Sequence, residues 1–244
     1  MPMHYMRALT SPERTDIGNR RLGRSLAFIA GAVNAGGFFA LGQYTSHMSG
    51  VVSALADNAV LGEAGLILAG LASLAAFFFG AALSAILINW GRRRGAHSRY
   101  ALPLILEAFL LLVFALMGAS LSARGHVGAT VALLCCVMGL QNAIITKISR
   151  AEIRTTHVTG LVTDLGIELG KLFYWNRSAI VDKVRADADR MRLLSSMLLM
   201  FLSGGLAGAF GYQTFGFVMT VPLALALLLL AAVPVFDDLR AARA

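Results

Sequence analysis

Residues 155–171 read TTHVTGLVTDLGIELGK, and residues 45–61 read TSHMSGVVSALADNAVL. Both segments lie between long apolar stretches, yet both are shorter and more polar than their neighbours. A bilayer core of roughly 30 Å requires about 20 mostly apolar helical residues. Whether these two segments cross it decides the fold.

Six other stretches meet or approach the spanning length: 25–43, 65–90, 101–121, 127–146, 193–212 and 215–235. Cytoplasmic loops carry an excess of Lys and Arg, so the basic residues arbitrate. With six crossings and the N-terminus inside, 20 of the 21 Lys and Arg fall on the cytoplasmic side, leaving only Arg124 outside. With eight crossings, 14 remain inside and the run Arg92-Arg93-Arg94 is exported. The six-span reading wins, and the two polar segments then enter the membrane without crossing it or lie on its surface.

Composition agrees. Of 244 residues, 57% are apolar and 14% charged, with a mean hydropathy of +0.72. Soluble domains carry about a quarter charged residues. One soluble core cannot hide this much apolar surface. The formal charge of +8 is spread between apolar runs, which marks topology rather than a nucleic-acid face. Cys135 and Cys136 are adjacent in an apolar run and cannot staple distant segments. The N-terminal arginines run into the first apolar stretch without a convincing cleavage site, so residues 1–24 read as a cytoplasmic tail.

The polar segments resemble one another. Thr45-Ser46-His47-Met48-Ser49-Gly50 aligns with Thr155-Thr156-His157-Val158-Thr159-Gly160 at an offset of 110. Upstream, Gly31-Ala32-Val33-Asn34-Ala35 pairs with Gly139-Leu140-Gln141-Asn142-Ala143 at an offset of 108. Two matches at nearly equal offset indicate a duplication. The second copy begins three crossings after the first, and three is odd, so the copies point in opposite directions. The expected fold is therefore all-α and polytopic: six transmembrane helices plus two short non-spanning or re-entrant helices, arranged as two inverted repeats. The repeats cover residues 25–121 and 127–235, and residues 236–244 form a cytoplasmic tail. Inverted repeats with short or broken helices meeting near the midplane are the architecture of many secondary transporters. Two amphipathic interfacial helices are the plainer alternative.

These residues resemble the YoaK-type family of bacterial membrane proteins, domain of unknown function 1275. The likeness rests on Ser46-His47-Met48-Ser49-Gly50, on Gly139-Leu140-Gln141-Asn142-Ala143, and above all on Arg154 to Gly160 continuing through Thr163-Asp164-Leu165-Gly166-Ile167-Glu168-Leu169-Gly170. It covers roughly residues 20–235. One departure is Val51, where relatives often carry Asn. The resemblance implies a multi-pass protein of the bacterial inner membrane, here with both termini cytoplasmic, but no established reaction.

Ionisable side chains at membrane depth are costly and mark a pathway or a paired partner. The candidates are His47, Asp57, Glu107, His157, Asp164 and Glu168, with Lys171 beside them. At about 100° per residue, His157, Asp164, Glu168 and Lys171 fall within about 60° on one helix face. Such a stripe can exchange a proton, or it can be a static ion-pair network pinning the short helix. Glu107 reads as a proton site or as a buried carboxyl hydrogen-bonded to a neighbour. Asn34, Asn142 and Thr156 join the histidines as polar residues of the pathway. Thr45 or Ser46 and Thr155 or Thr156 read as N-caps of the short helices, and Gly50 and Gly160 as positions of close packing. Gly204, Gly205, Gly208 and Gly211 form a small-residue stripe, suited to a close helix contact within the protomer or in a homo-oligomer. The stretch 173–192 reads as an aromatic anchor, Phe173-Tyr174-Trp175, followed by an amphipathic helix.

The leading expectation is a transporter or channel for a small polar or anionic solute, with proton coupling an option. The partners are then the lipid bilayer and a small solute or proton, and no nucleic acid. The alternative is a non-transporting membrane module that binds a lipid or a protein. No nucleophile–base spacing, metal-ligand set or cofactor motif is present, so an enzyme is the weakest reading.

Overall fold

The computed structural model describes residues 16–95, 99–120, 127–149, 155–177 and 182–241. Arg124, Arg154, residues 1–15 of the N-terminal tail and residues 242–244 lie outside them. Among the described residues there are eight α-helices and one 3-10 turn, with no strand. We label the helices α1 (Asp16–Leu41), α2 (Met48–Leu61), α3 (Ala64–Arg93), α4 (Ala101–Ser120), α5 (Val127–Ile148), α6 (Val158–Phe173), α7 (Ala188–Phe215) and α8 (Thr220–Ala241). A 3-10 turn, Gly216–Met219, joins the last two. The boundaries follow the hydropathy closely, and α2 and α6 are the two short polar segments.

Four stretches among the described residues are long and apolar enough to cross a membrane: Ala64–Arg93, Ala101–Gly118, Val127–Ile148 and Ala188–Ala232. The last runs through α7, the turn and much of α8. The outward faces of these helices are aliphatic and aromatic, with Leu68, Phe78, Leu116, Leu206 and Phe210 among the most exposed. In water such a surface would drive aggregation. Against lipid it is the expected finish.

The most extensive helix contacts are α1 with α7 and α3 with α5, followed by α4 with α8. The first two crossings are built alike. A Cβ added at Gly31 would overlap the carbonyl of Phe201, and one at Gly204 would overlap the carbonyl of Phe28. In the other crossing, Gly139 stands against the carbonyl of Phe77, and Gly80 against that of Cys136. Residues 28 and 31 precede 136 and 139 by 108 positions, and residues 77 and 80 precede 201 and 204 by 124. Each crossing thus pairs the first helix of one half with the third of the other. Without hydrophobic drive inside a bilayer, such backbone-to-backbone contact supplies the dispersion energy that holds helices together. Gly208 extends the α1 crossing against Ala32, and Gly211 meets Met219. The glycine stripe is therefore used within the protomer.

The interior is filled from α1, α4, α5, α7 and α8. Leu22, Leu26, Leu104, Leu111, Phe114, Leu134, Met138, Leu140, Ile144, Ile145 and Met197 are its largest enclosed side chains among the described residues. By contrast α2 has no buried residue and rests chiefly on α3, while α6 rests on α7. The helix ending α2 closes on Gly62 in the left-handed region, whose amide donates to Asn58 O.

One expectation needs correction. The stretch 173–192 is not a helix through its length: residues 174–177 and 182–187 are coil, and α7 starts only at Ala188. The Asn176 side chain explains this. It donates to Val184 O at 3.1 Å and accepts from Val184 N at 2.9 Å, occupying the backbone groups a helix would use. Asp187 then caps α7, its carboxylate accepting from Arg190 N at 3.0 Å.

Candidate functional site

Both polar segments are tied down by an asparagine one helix upstream. Asn34 Oδ1 accepts from the Ser46 hydroxyl at 3.0 Å and from the Ser46 amide at 3.3 Å. In the second half, Asn142 Oδ1 accepts from the Thr155 hydroxyl at 3.1 Å, and its Nδ2 donates to Thr156 Oγ1 at 2.7 Å. Asn142 also donates to Met138 O at 3.0 Å, so both of its amide hydrogens are used. A short loop is thereby fixed to the end of a long helix, and the next helix must start where the loop leaves it.

That start differs from the sequence expectation. The N-cap positions are His47 and His157, neither with a capping side-chain hydrogen bond. Thr45 and Thr155 lie two residues upstream and do not cap. Thr155 is buried and spends its hydroxyl on Asn142. Thr45 is buried with its hydroxyl unpartnered among the described residues. The glycines of the motif also acquire a reason. A Cβ at Gly160 would collide with the His157 ring, and one at Gly50 would stand 3.3 Å from His47 Nδ1. In each half the imidazole folds back over the first turn of its own helix, and glycine three residues later leaves room for it.

The two motifs meet at one cavity of about 1100 Å³. Its polar wall comes from Asn34, Ser46, His47 and Ser49 in one half and from Asn142, Thr146, Lys147, Thr156, His157 and Thr159 in the other. Its apolar wall includes Tyr44, Met48, Phe77, Ala81 and Phe201. Segments more than 100 residues apart in the chain therefore supply like side chains to one space. The first-turn amides of α2 and α6 lack intrahelical acceptors, and both helix starts contribute to the wall. Irregular backbone of this kind is tolerated at membrane depth where protein or a water-filled cavity satisfies it.

The other candidates stand elsewhere. Asp57 is exposed on the outer side of α2 and is not part of the cavity wall, whereas Asn58 faces a smaller pocket between α2 and α3. Asp164 pairs with Arg190 at 3.1 Å. Glu168 is almost fully buried and accepts from Lys171 Nζ at 2.8 Å and from the Asp187 amide at 2.9 Å. The acidic stripe of α6 thus faces cations and the start of α7 rather than the cavity. The Lys171 hydrogen bond, aided by the Asp187 amide, holds the Glu168 carboxyl below its ordinary range.

Glu107 is fully buried on α4 beside Gln141 of α5, also fully buried. Among the described residues neither side chain completes a hydrogen bond. The pair lies outside the cavity wall, although Gln141 is the chain neighbour of Asn142. Sequence reasoning passed over Phe77, Phe201, Thr146 and Lys147 as part of the site. The repeated Phe-x-x-Gly of 77–80 and 201–204 was the available signal for the two phenylalanines.

No curated protein and no solved structure matches this chain. The family described as "Protein of unknown function (DUF1275)" matches residues 22–233, most of the length, and the chain belongs to that YoaK-type membrane family.

Proposed function

We propose that the protein moves a small polar or anionic solute across the bacterial inner membrane through the cavity shared by its two halves. The single observation behind this reading is the convergence of two matched motifs, each an asparagine lock followed by a histidine N-cap, on one space. Six crossings follow from the basic loops: α1, α3, α4, α5, α7 and α8 span, α2 and α6 dip in, and both termini are cytoplasmic. The matched crossings of α1 with α7 and α3 with α5 support two inverted repeats, because each contact recurs with the halves exchanged. Alternating access is then a rocking of one pair of helices against the other about the cavity.

Glu107 is the coupling site in this reading. A carboxyl enclosed at depth beside a neutral amide, with no cation to balance it among the described residues, is costly when ionised and exchanges a proton as its surroundings open. Gln141 connects it along α5 to the Asn142 lock.

Reconstitution into liposomes tests the proposal. Purified protein, verified as folded, should carry members of a panel of polar and anionic solutes above the rate of empty vesicles. His157→Ala and Asn142→Ala should reduce that flux about tenfold or more while insertion is preserved. Glu107→Gln should abolish its response to an imposed pH gradient. A broad panel without flux contradicts transport.

A further inference from the structure

We infer that the cavity selects an organic monoanion, a carboxylate or similar head on an apolar body, and that Lys147 sets this selection. The inference rests on the proposed transport reading for the choice of site, but it concerns binding.

The cavity walls are matched almost throughout: Asn34 with Asn142, Ser46 with Thr156, His47 with His157, Phe77 with Phe201. The match is incomplete. Thr146 and Lys147 of α5 line the cavity, whereas Phe38 and Phe39 of α1, their counterparts at the offset of 108, do not. On the α1 side the wall is Tyr44, backed by Phe38, whose ring stacks on it with centroids 5.0 Å apart. The α5 end contributes Lys147 to the cavity wall, an exposed side chain whose ammonium lies 3.5 Å from Asn89 Oδ1 of α3 at the rim. One end is thus suited to an apolar body and the other to a negative head.

Among the described residues no Asp or Glu belongs to the cavity wall, and Lys147 is its charged member. Among the described residues Lys147 forms no ion pair, and its contact is a long one, 3.5 Å to Asn89 Oδ1. The helix starts at His47 and His157 add partial positive charge of the same sign, as secondary support. Size excludes a bare inorganic ion as a good fit. Pockets that enclose organic ligands run from roughly 300 to 1,000 Å³, and this one, at about 1100 Å³ with Tyr44, Phe77 and Phe201 in its walls, leaves a halide mostly uncontacted.

Binding can be measured apart from transport. Calorimetry on the full chain in nanodiscs, with empty nanodiscs as baseline, compares benzoate with its neutral isostere benzamide. Benzoate should bind about tenfold or more tightly than benzamide. Lys147→Gln should remove that advantage while leaving benzamide affinity unchanged, and Lys147→Arg should retain it. Equal affinity for both probes, unchanged benzoate affinity in Lys147→Gln, or no binding of either probe by folded protein overturns the inference. Benzoate binding without any solute flux would contradict transport and leave this inference standing. Flux indifferent to solute charge would do the reverse.

Discussion

Asn142 donates through Nδ2 to the Thr156 hydroxyl at 2.7 Å, across the loop that separates α5 from α6. Among the described residues its counterpart Asn34 uses only its oxygen, which accepts twice from Ser46. The two locks therefore respond differently to the same change. Asn34→Asp keeps the acceptor for both Ser46 donors and should cost less than the same change at Asn142. Asn142→Asp removes a donor engaged by Thr156 and Met138 and should destabilise by about 1–3 kcal/mol. Paired melting curves in detergent check this, and equal losses would contradict the assigned hydrogen bonds.

The crossing glycines make a sharper contrast. Gly31→Ala and Gly204→Ala drive a methyl group into a backbone carbonyl, and neither neighbour can swing aside. Each should cost about 1–3 kcal/mol and lower the yield of monodisperse protein. Gly205→Ala, one residue from Gly204, meets its nearest atom at 3.8 Å and should be neutral. Size-exclusion profiles after mild extraction distinguish the cases.

His157 depends on Gly160. Gly160→Ala displaces the imidazole from its place over the first turn of α6, whereas Gly50→Ala asks His47 to shift by only a few tenths of an ångström. Because a ring can rotate away, folding should survive in both variants. Any flux should fall more in Gly160→Ala than in Gly50→Ala, and the opposite order would argue against a role for the ring positions.

Glu168 fastens α6 to the start of α7. Its folded carboxyl titrates below the ordinary value, so its stabilisation is complete above that value and is lost as pH falls through the lower one. Glu168→Gln should expose the coil at 182–187 to trypsin at Lys183 and Arg185 already at neutral pH. Asp164→Asn breaks only the half-exposed pair with Arg190 and should change cleavage little. Equal protection in both variants would remove Glu168 from this role.

Much of the architecture was legible because hydropathy sets helix length directly. The short helices were legible because T-x-H-x-[ST]-G occurs twice. The caps were misplaced for a local reason: a threonine before a helix resembles a cap, and only the fold shows that Asn142 claims the Thr155 hydroxyl first. The acidic stripe on α6 illustrates a second limit. Helical periodicity places Asp164 and Glu168 on one face correctly, but Arg190 and the Asp187 amide, brought back by the chain reversal, determine what that face meets. Lys147 was passed over because a basic residue at the end of an apolar run reads as a topology signal, and its place in the cavity depends on the packing of α5 against α3.

Orientation tests the account most directly. In a chain whose Cys135 and Cys136 are replaced by serine, single cysteines at Arg93 and Lys183 are exposed to a membrane-impermeant maleimide in sealed vesicles of known sidedness. Two antiparallel halves predict that both positions are labelled from the cytoplasmic face and neither from the other. Labelling of Arg93→Cys and Lys183→Cys from opposite faces would make the crossings between them odd in number, and the shared conduit would have no basis.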